Sequence, residues 1–233
     1  MKKFLPVLVL FVVLMVGAIA YASDPCPANC KGSGCDRYID ANKNGTCDLS
    51  VADMEGTFKD LKNHWAKNCV EKLVNSKIIS GYPDGTIRPD NEVTHAEAVA
   101  LLSKAAQLKP KNKVKLAFSD AAEIPSWLND YLQAAVDYEV ISENSFKPLK
   151  KVTRQEMAVM IVKAFELDEK DTAELPFKDL EGVSDSVKNS IGCTYKMKII
   201  LGYPDNSFKP EKSISRAEAF TIISNALDAK SKK

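Results

Sequence analysis

Arg154 and Arg216 each follow a hydroxyl residue, Thr153 and Ser215, and each stands two residues before a glutamate, Glu156 and Glu218. Ser/Thr-x-x-Glu is the pattern of a helix capping box, in which the hydroxyl accepts the third helical amide and the carboxylate accepts the amide of the cap residue. A guanidinium one residue after such a cap sits at the positive end of a helix dipole and can grip a carboxylate through paired, charge-assisted hydrogen bonds. The frame recurs once more as Thr94-His95-Ala96-Glu97, with an imidazole in the arginine's place. This is anion-binding chemistry rather than catalysis. His64 and His95 are the only histidines, and no Ser/His/Asp or paired-carboxylate pattern is legible. His64 is expected on a solvated face.

The three frames belong to a long internal repeat. A proline precedes each capping residue by five positions (Pro89, Pro148, Pro210), and these prolines are 59 and then 62 residues apart, so several equivalent surfaces are expected instead of one active site. Each copy opens with Phe-x-Asp: Phe58 and Asp60, Phe118 and Asp120, Phe177 and Asp179. A first helix follows, with Trp65, Val70, Leu73 and Val74 in copy one and Trp127, Leu132, Ala135 and Val136 in copy two at helical spacing. Ser186 fills the tryptophan slot in copy three. Copies one and three then carry a turn, Gly81-Tyr82-Pro83-Asp84-Gly85 and Gly202-Tyr203-Pro204-Asp205-Asn206. Copy two is three residues shorter there, at Ser142-Glu143-Asn144-Ser145. All three turns converge on an apolar-basic-Pro triplet containing Arg88, Lys147 or Lys209. The second helix follows its capping box, and an alanine stands eight residues past each glutamate: Ala105, Ala164 and Ala226. A small residue at one repeated place implies that the second helices approach closely around a pseudo-threefold axis.

Upstream, Lys2 and Lys3 precede an apolar run from Phe4 to Ala20 that ends in Ala20-Tyr21-Ala22, the pattern of an export signal over residues 1–22. An uncleaved membrane anchor is the alternative. Residues 23–57 hold Cys26, Cys30, Cys35 and Cys47, read as two local disulfides in an exported chain. Metal or iron–sulfur ligation by these cysteines, as in a redox carrier, is the competing reading. Cys69 and Cys193 are expected as partly buried thiols outside that set. Asp40, Asn42, Asn44 and Asp48 with Gly45 resemble part of an EF-hand calcium loop, although Val51 stands where the closing glutamate belongs, and an Asn-Gly turn is the alternative. Calcium is the one cofactor suggested. With 32 basic and 31 acidic residues, net charge gives no argument for nucleic acid or an anionic membrane.

The combination of Phe-x-Asp, a first-helix Trp, Gly-Tyr-Pro-Asp-Gly and the frames Thr94-His95-Ala96-Glu97, Thr153-Arg154-Gln155-Glu156 and Ser215-Arg216-Ala217-Glu218 resembles the S-layer homology domain. The likeness runs from Phe58 to about Leu227, as repeats 58–109, 118–168 and 177–228. It implies a mainly α fold, three helix-loop-helix repeats around a central bundle, following the small Cys-rich N-terminal segment. It also implies a non-enzymatic, secreted cell-wall module. Grooves between copies would bind secondary cell-wall polysaccharide, often through a pyruvylated sugar, and other S-layer or surface proteins are possible partners.

On that reading Arg154 and Arg216 hold the ketal carboxylate, and replacing both is expected to leave the fold intact. His95 takes the third such place. Trp65 and Trp127 either pack on a sugar ring or belong to the core. Asp60, Asp120 and Asp179 either accept sugar hydroxyls or cap the first helices. Gly81 and Gly202 let backbone amides approach the ligand, and Arg88, Lys147 and Lys209 add positive charge. No copy carries the whole set, so one or two competent grooves are expected, with the groove lined by copy two's short turn the weakest.

Overall fold

The computed structural model of the protein describes residues 58–82, 84–111, 116–142, 144–170 and 174–231. The export signal, the cysteines from Cys26 to Cys47 and the calcium-type residues Asp40, Asn42, Asn44 and Asp48 lie outside them. The described residues form six α-helices: α1 (Lys67–Asn75), α2 (His95–Ala105), α3 (Asn129–Asp137), α4 (Arg154–Ala164), α5 (Asp185–Lys196) and α6 (Arg216–Lys230). Two short 3-10 turns, Ala121–Glu123 and Ser126–Leu128, lead into α3.

The second helices begin where the capping boxes place them. Thr94, Thr153 and Ser215 are extended N-caps, and each closes a reciprocal box with Glu97, Glu156 or Glu218. The first helices start differently. Only α5 has a capping hydroxyl, from Ser184. At α1 the Nδ1 of His64 accepts the Ala66 amide at 3.1 Å, and its Nε2 lies 3.5 Å from Asp90. His64 is thus half-buried and engaged, contrary to the solvated face expected of it.

The aspartates of Phe-x-Asp do not cap the first helices. Each instead accepts the amides of the apolar and basic residues of its own copy's triplet: Asp60 from Ile87 and Arg88 at 3.0 and 2.7 Å, Asp120 from Phe146 and Lys147 at 2.9 and 2.6 Å, Asp179 from Phe208 and Lys209 at 2.8 and 2.8 Å. The basic residue is left-handed in every copy, with φ of 53°, 51° and 57° at Arg88, Lys147 and Lys209, a conformation that L-residues adopt at a cost. The carboxylate holds that bend, which turns Ile87, Phe146 and Phe208 into the core, where they are almost wholly buried.

The helical pairs form across repeat boundaries. α2 packs on α3, α4 on α5, and α6 on α1, while α2, α4 and α6 also touch one another. Ala105, Ala164 and Ala226 are all buried, as close approach of the second helices requires. Below the helix starts, the backbone closes a ring. The Val152 amide donates to Val93, Ile214 to Val152, and Val93 to Ile214, at 2.9, 3.0 and 3.1 Å. Three antiparallel bridges, Glu92 with Ser215, Thr94 with Lys151, and Thr153 with Ser213, flank these bonds.

The helix N-termini, whose first amides have no partner within the helix, donate in the opposite sense around the ring. In α2 the His95 and Ala96 amides donate to Lys150 and Pro148 of copy two at 2.9 and 3.1 Å. In α4, Arg154 and Gln155 donate to Lys212 and Pro210 of copy three at 3.0 and 3.0 Å. In α6, Arg216 and Ala217 donate to Asn91 and Pro89 of copy one at 2.8 and 2.8 Å. The third amide goes to the capping hydroxyl. The repeated proline therefore marks the residue that satisfies the preceding copy's helix.

Candidate functional site

The three junctions between copies repeat one construction. The side chain after the cap reaches the carbonyl of the next copy's buried apolar residue: Arg154 Nε to Phe208 at 2.8 Å, Arg216 Nε to Ile87 at 2.9 Å, and His95 Nδ1 to Phe146 at 3.0 Å. It also faces the next copy's capping glutamate: Arg154 lies 3.7 Å from Glu218, Arg216 bonds Glu97 at 3.2 Å, and His95 Nε2 lies 3.6 Å from Glu156. Arg154 makes a further bond to the Leu201 carbonyl at 2.8 Å.

These side chains are interior. Arg154 is 6 % exposed and Arg216 8 %, so the expectation that both could be removed without disturbing the fold is overturned. Arg154 on the Phe208 and Leu201 carbonyls, and Arg216 on the Ile87 carbonyl and Glu97, are cross-links between copies.

Each arginine lies under a tyrosine of the next copy's turn. The Arg154 guanidinium is 4.7 Å from the Tyr203 ring centre, and that of Arg216 is 5.1 Å from Tyr82. The Tyr203 hydroxyl donates to Glu218 at 3.1 Å and accepts from Lys212 at 3.0 Å. Burial alone would make Glu218 harder to ionise, but the Ser215 amide, Lys212 and Tyr203 outweigh it and hold the carboxyl below its usual range. Exposed cations also lie over the same rings: Arg88 is 3.8 Å from the Tyr82 centre and Lys209 is 4.3 Å from that of Tyr203.

The junction between copies one and two differs. Copy two's shortened turn brings no tyrosine, and His95 stands in the arginine's place. Here an open-mouthed cavity of about 190 Å³ is lined by His95, Phe146, Glu156, Val159, Met160 and Val187, among others. Burial opposes the charge on Glu156, yet His95, Lys150 and the Thr153 amide hold it well below the usual carboxylate range. His95 Nε2 is buried and has no hydrogen-bond partner among the described residues.

Of the remaining sequence-derived residues, Trp65 is 63 % exposed, whereas Trp127 is half-buried against the core. Gly81 and Gly202 make room for protein. A Cβ at Gly81 would lie 1.9 Å from the Phe58 ring, and one at Gly202 2.1 Å from that of Phe177. Asp60, Asp120 and Asp179 are committed to backbone amides, and on Asp120 those amides overcome burial to keep it ionised below the usual range. Lys147 is exposed. Cys69 is a half-buried thiol on α1 and Cys193 is fully buried on α5.

Sequence reasoning missed the two tyrosines and the second role of the capping glutamates. The signal was present: the two copies that keep Gly-Tyr-Pro each follow, around the ring, a copy that keeps its arginine.

The S-layer homology domain model matches residues 57–99, 117–158 and 176–220, one match per copy. Over 178 residues the chain is 32% identical to exoglucanase XynX of Acetivibrio thermocellus, covering 74% of this chain and 16% of that protein. Over 179 residues it is 31% identical to S-layer protein EA1 of Bacillus anthracis, covering 74% of this chain and 20% of that one. A stretch of 95 residues, 41% of the chain, is 36% identical to cell surface glycoprotein 1 of Acetivibrio thermocellus and covers 4% of it. The chain thus spans a small fraction of each relative. What it shares with an exoglucanase and a surface-layer protein alike is this repeat ring, which works at the cell surface, and the chain belongs to the S-layer homology domain family.

Proposed function

We propose that this ring anchors the polypeptide to the cell wall by binding an anionic secondary wall polysaccharide, one bearing a carboxylate such as a pyruvate ketal. The observation that carries the reading is the pairing of an aromatic face with an exposed cation over a buried arginine, at two of the three junctions. Tyr82 with Arg88 lies above Arg216, and Tyr203 with Lys209 lies above Arg154. An exposed cation held on an aromatic ring suits the carboxylate of a ketal-bearing sugar. The buried guanidiniums supply fixed positive charge behind the rings, while Arg88 and Lys209 make the direct contact. The module itself is non-enzymatic, and family membership together with the surface-layer relatives supports an anchoring role.

Sedimentation of the purified protein with host wall, before and after extraction of the non-peptidoglycan polymer, tests this. Binding is expected only to unextracted wall. A folded Arg88→Gln, Lys209→Gln variant is expected to bind at least about tenfold more weakly, since a hydrogen bond to a charged group contributes about 1.5–3 kcal/mol. Equal binding to extracted wall refutes the polysaccharide reading, and undiminished binding by the variant refutes the assigned contacts.

A further inference from the structure

The cavity between copies one and two lies where the other junctions hold a tyrosine. Tyr203 packs on Arg154 and bonds Glu218. By repeat position, the equivalents at the odd junction are His95 and Glu156, and both line the cavity. The room is of the right order, since an engineered apolar cavity of about 150 Å³ admits benzene and this one is about 190 Å³. Its walls combine apolar side chains, Phe146, Val159 and Met160 from copy two and Val187 from α5 among them, with the polar Ser142, Ser145 and Gln155.

The polar end of the cavity is Glu156, which by repeat position stands where Glu218 accepts the Tyr203 hydroxyl. His95 Nδ1 bonds the Phe146 carbonyl and so carries a hydrogen. Its Nε2 is buried, faces Glu156 at 3.6 Å and has no hydrogen-bond partner among the described residues. A buried polar atom left unpaired is costly. A ring-sized space that ends on a carboxylate, with Phe146, Val159 and Met160 beside it, fits a ring that bears a hydroxyl.

We propose that this cavity is a docking site for a tyrosyl side chain presented by another polypeptide, whose ring takes the place that Tyr82 and Tyr203 fill at the other junctions and whose hydroxyl donates to Glu156 as that of Tyr203 does to Glu218. The site rests on the fold and not on the polysaccharide reading. It would give the ring a protein contact independent of its wall contacts.

The test uses the full chain with labelled methionine methyl groups and three probes followed by NMR: 4-ethylphenol, 4-ethyltoluene and N-acetyl-tyrosine amide. A saturable one-to-one shift of the Met160 methyl is expected with 4-ethylphenol. Binding of 4-ethyltoluene should be at least about tenfold weaker, the loss of roughly one buried hydrogen bond. N-acetyl-tyrosine amide should bind within a few-fold of 4-ethylphenol. Inserting Gly-Tyr-Pro between Ser142 and Glu143 should fill the site from within and abolish probe binding, and Val159→Phe, which narrows the cavity without touching the turn, should do the same if the insertion does not fold. The proposal is overturned by no saturable shift in the folded protein, by equal affinity for 4-ethyltoluene, or by probe binding that survives the filled cavity. Acceptance of 4-ethylphenol with rejection of N-acetyl-tyrosine amide would assign the cavity to a free phenol and overturn the polypeptide partner.

Discussion

Replacing Arg154 by alanine should destabilise the whole ring, although the residue lies in the first turn of a helix, where substitutions are usually mild. The residue is 6 % exposed, and its guanidinium donates to the Phe208 and Leu201 carbonyls at 2.8 Å each while facing Glu218. A hydrogen bond from a charged donor is worth about 1.5–3 kcal/mol, so two lost together come to about 3–6 kcal/mol. That figure agrees with the about 3–5 kcal/mol measured when one partner of a buried ion pair is removed. For a domain of this size it lowers Tm by about 10 °C. Arg154→Lys should recover less than half of the loss, because one ammonium cannot span two carbonyls held in a guanidinium's geometry. His95→Ala, which gives up one bond to a carbonyl, should cost about 1 kcal/mol. Thermal unfolding followed by circular dichroism, with each variant's denaturant midpoint as a check, reads these differences. If Arg154→Ala melts within about 2 °C of the parent, or if His95→Ala costs as much, the cross-link argument fails.

Two further outcomes follow from the same geometry. Gly202→Ala should cost about 1–3 kcal/mol by overpacking, and more than Gly81→Ala, because its Cβ would meet the Ser207 carbonyl at 2.9 Å as well as the Phe177 ring, whereas at Gly81 the nearest atoms are all of the Phe58 ring; equal melting of the two variants would count against this. Glu156 and Glu218 are held below their ordinary value of 4.5 in the folded chain, so their contribution is complete above that pH and drains away as the pH falls below it, while the unfolded chain takes up protons that the folded one refuses. Tm should therefore drop between pH 5 and pH 3, and Glu156→Gln should flatten that slope; a parent Tm constant across the interval would contradict the assignment.

The fold was legible because its punctuation is local. A capping box is complete within four residues, so Thr94, Thr153 and Ser215 marked three helix starts, and repetition of the marks implied the ring. The site was harder because its contacts are not local. Arg154 looked like a surface residue since nothing near it in sequence shows that Phe208 and Leu201 will lie over it. Asp60 read as either a helix cap or a sugar contact since its partners, Ile87 and Arg88, come 27 and 28 positions later. Gly81 looked like a place for ligand to approach, when the approaching group is Phe58. In each case the residue type was informative and the partner lay across the repeat or in the next copy. Even so, two departures read separately, the histidine at position 95 and copy two's missing tyrosine, are one feature once the copies are joined in a ring.

That ring also explains why three copies act as one unit. In a linear array of helical repeats the terminal units expose a face and need caps. Here α1 packs on α6, and the amides of Arg216 and Ala217 donate back to Asn91 and Pro89, so the last copy covers the first. Each first helix packs on the preceding copy's second helix, and each second helix is started by carbonyls of the following copy. A single copy therefore contains neither its helical partner nor the acceptors for its own N-terminus. Binding surfaces formed at the junctions exist only when neighbouring copies are assembled, so departures in any one copy are felt at the two junctions it shares, and a change of one histidine and one turn can give a single junction a different ligand while the other two keep theirs.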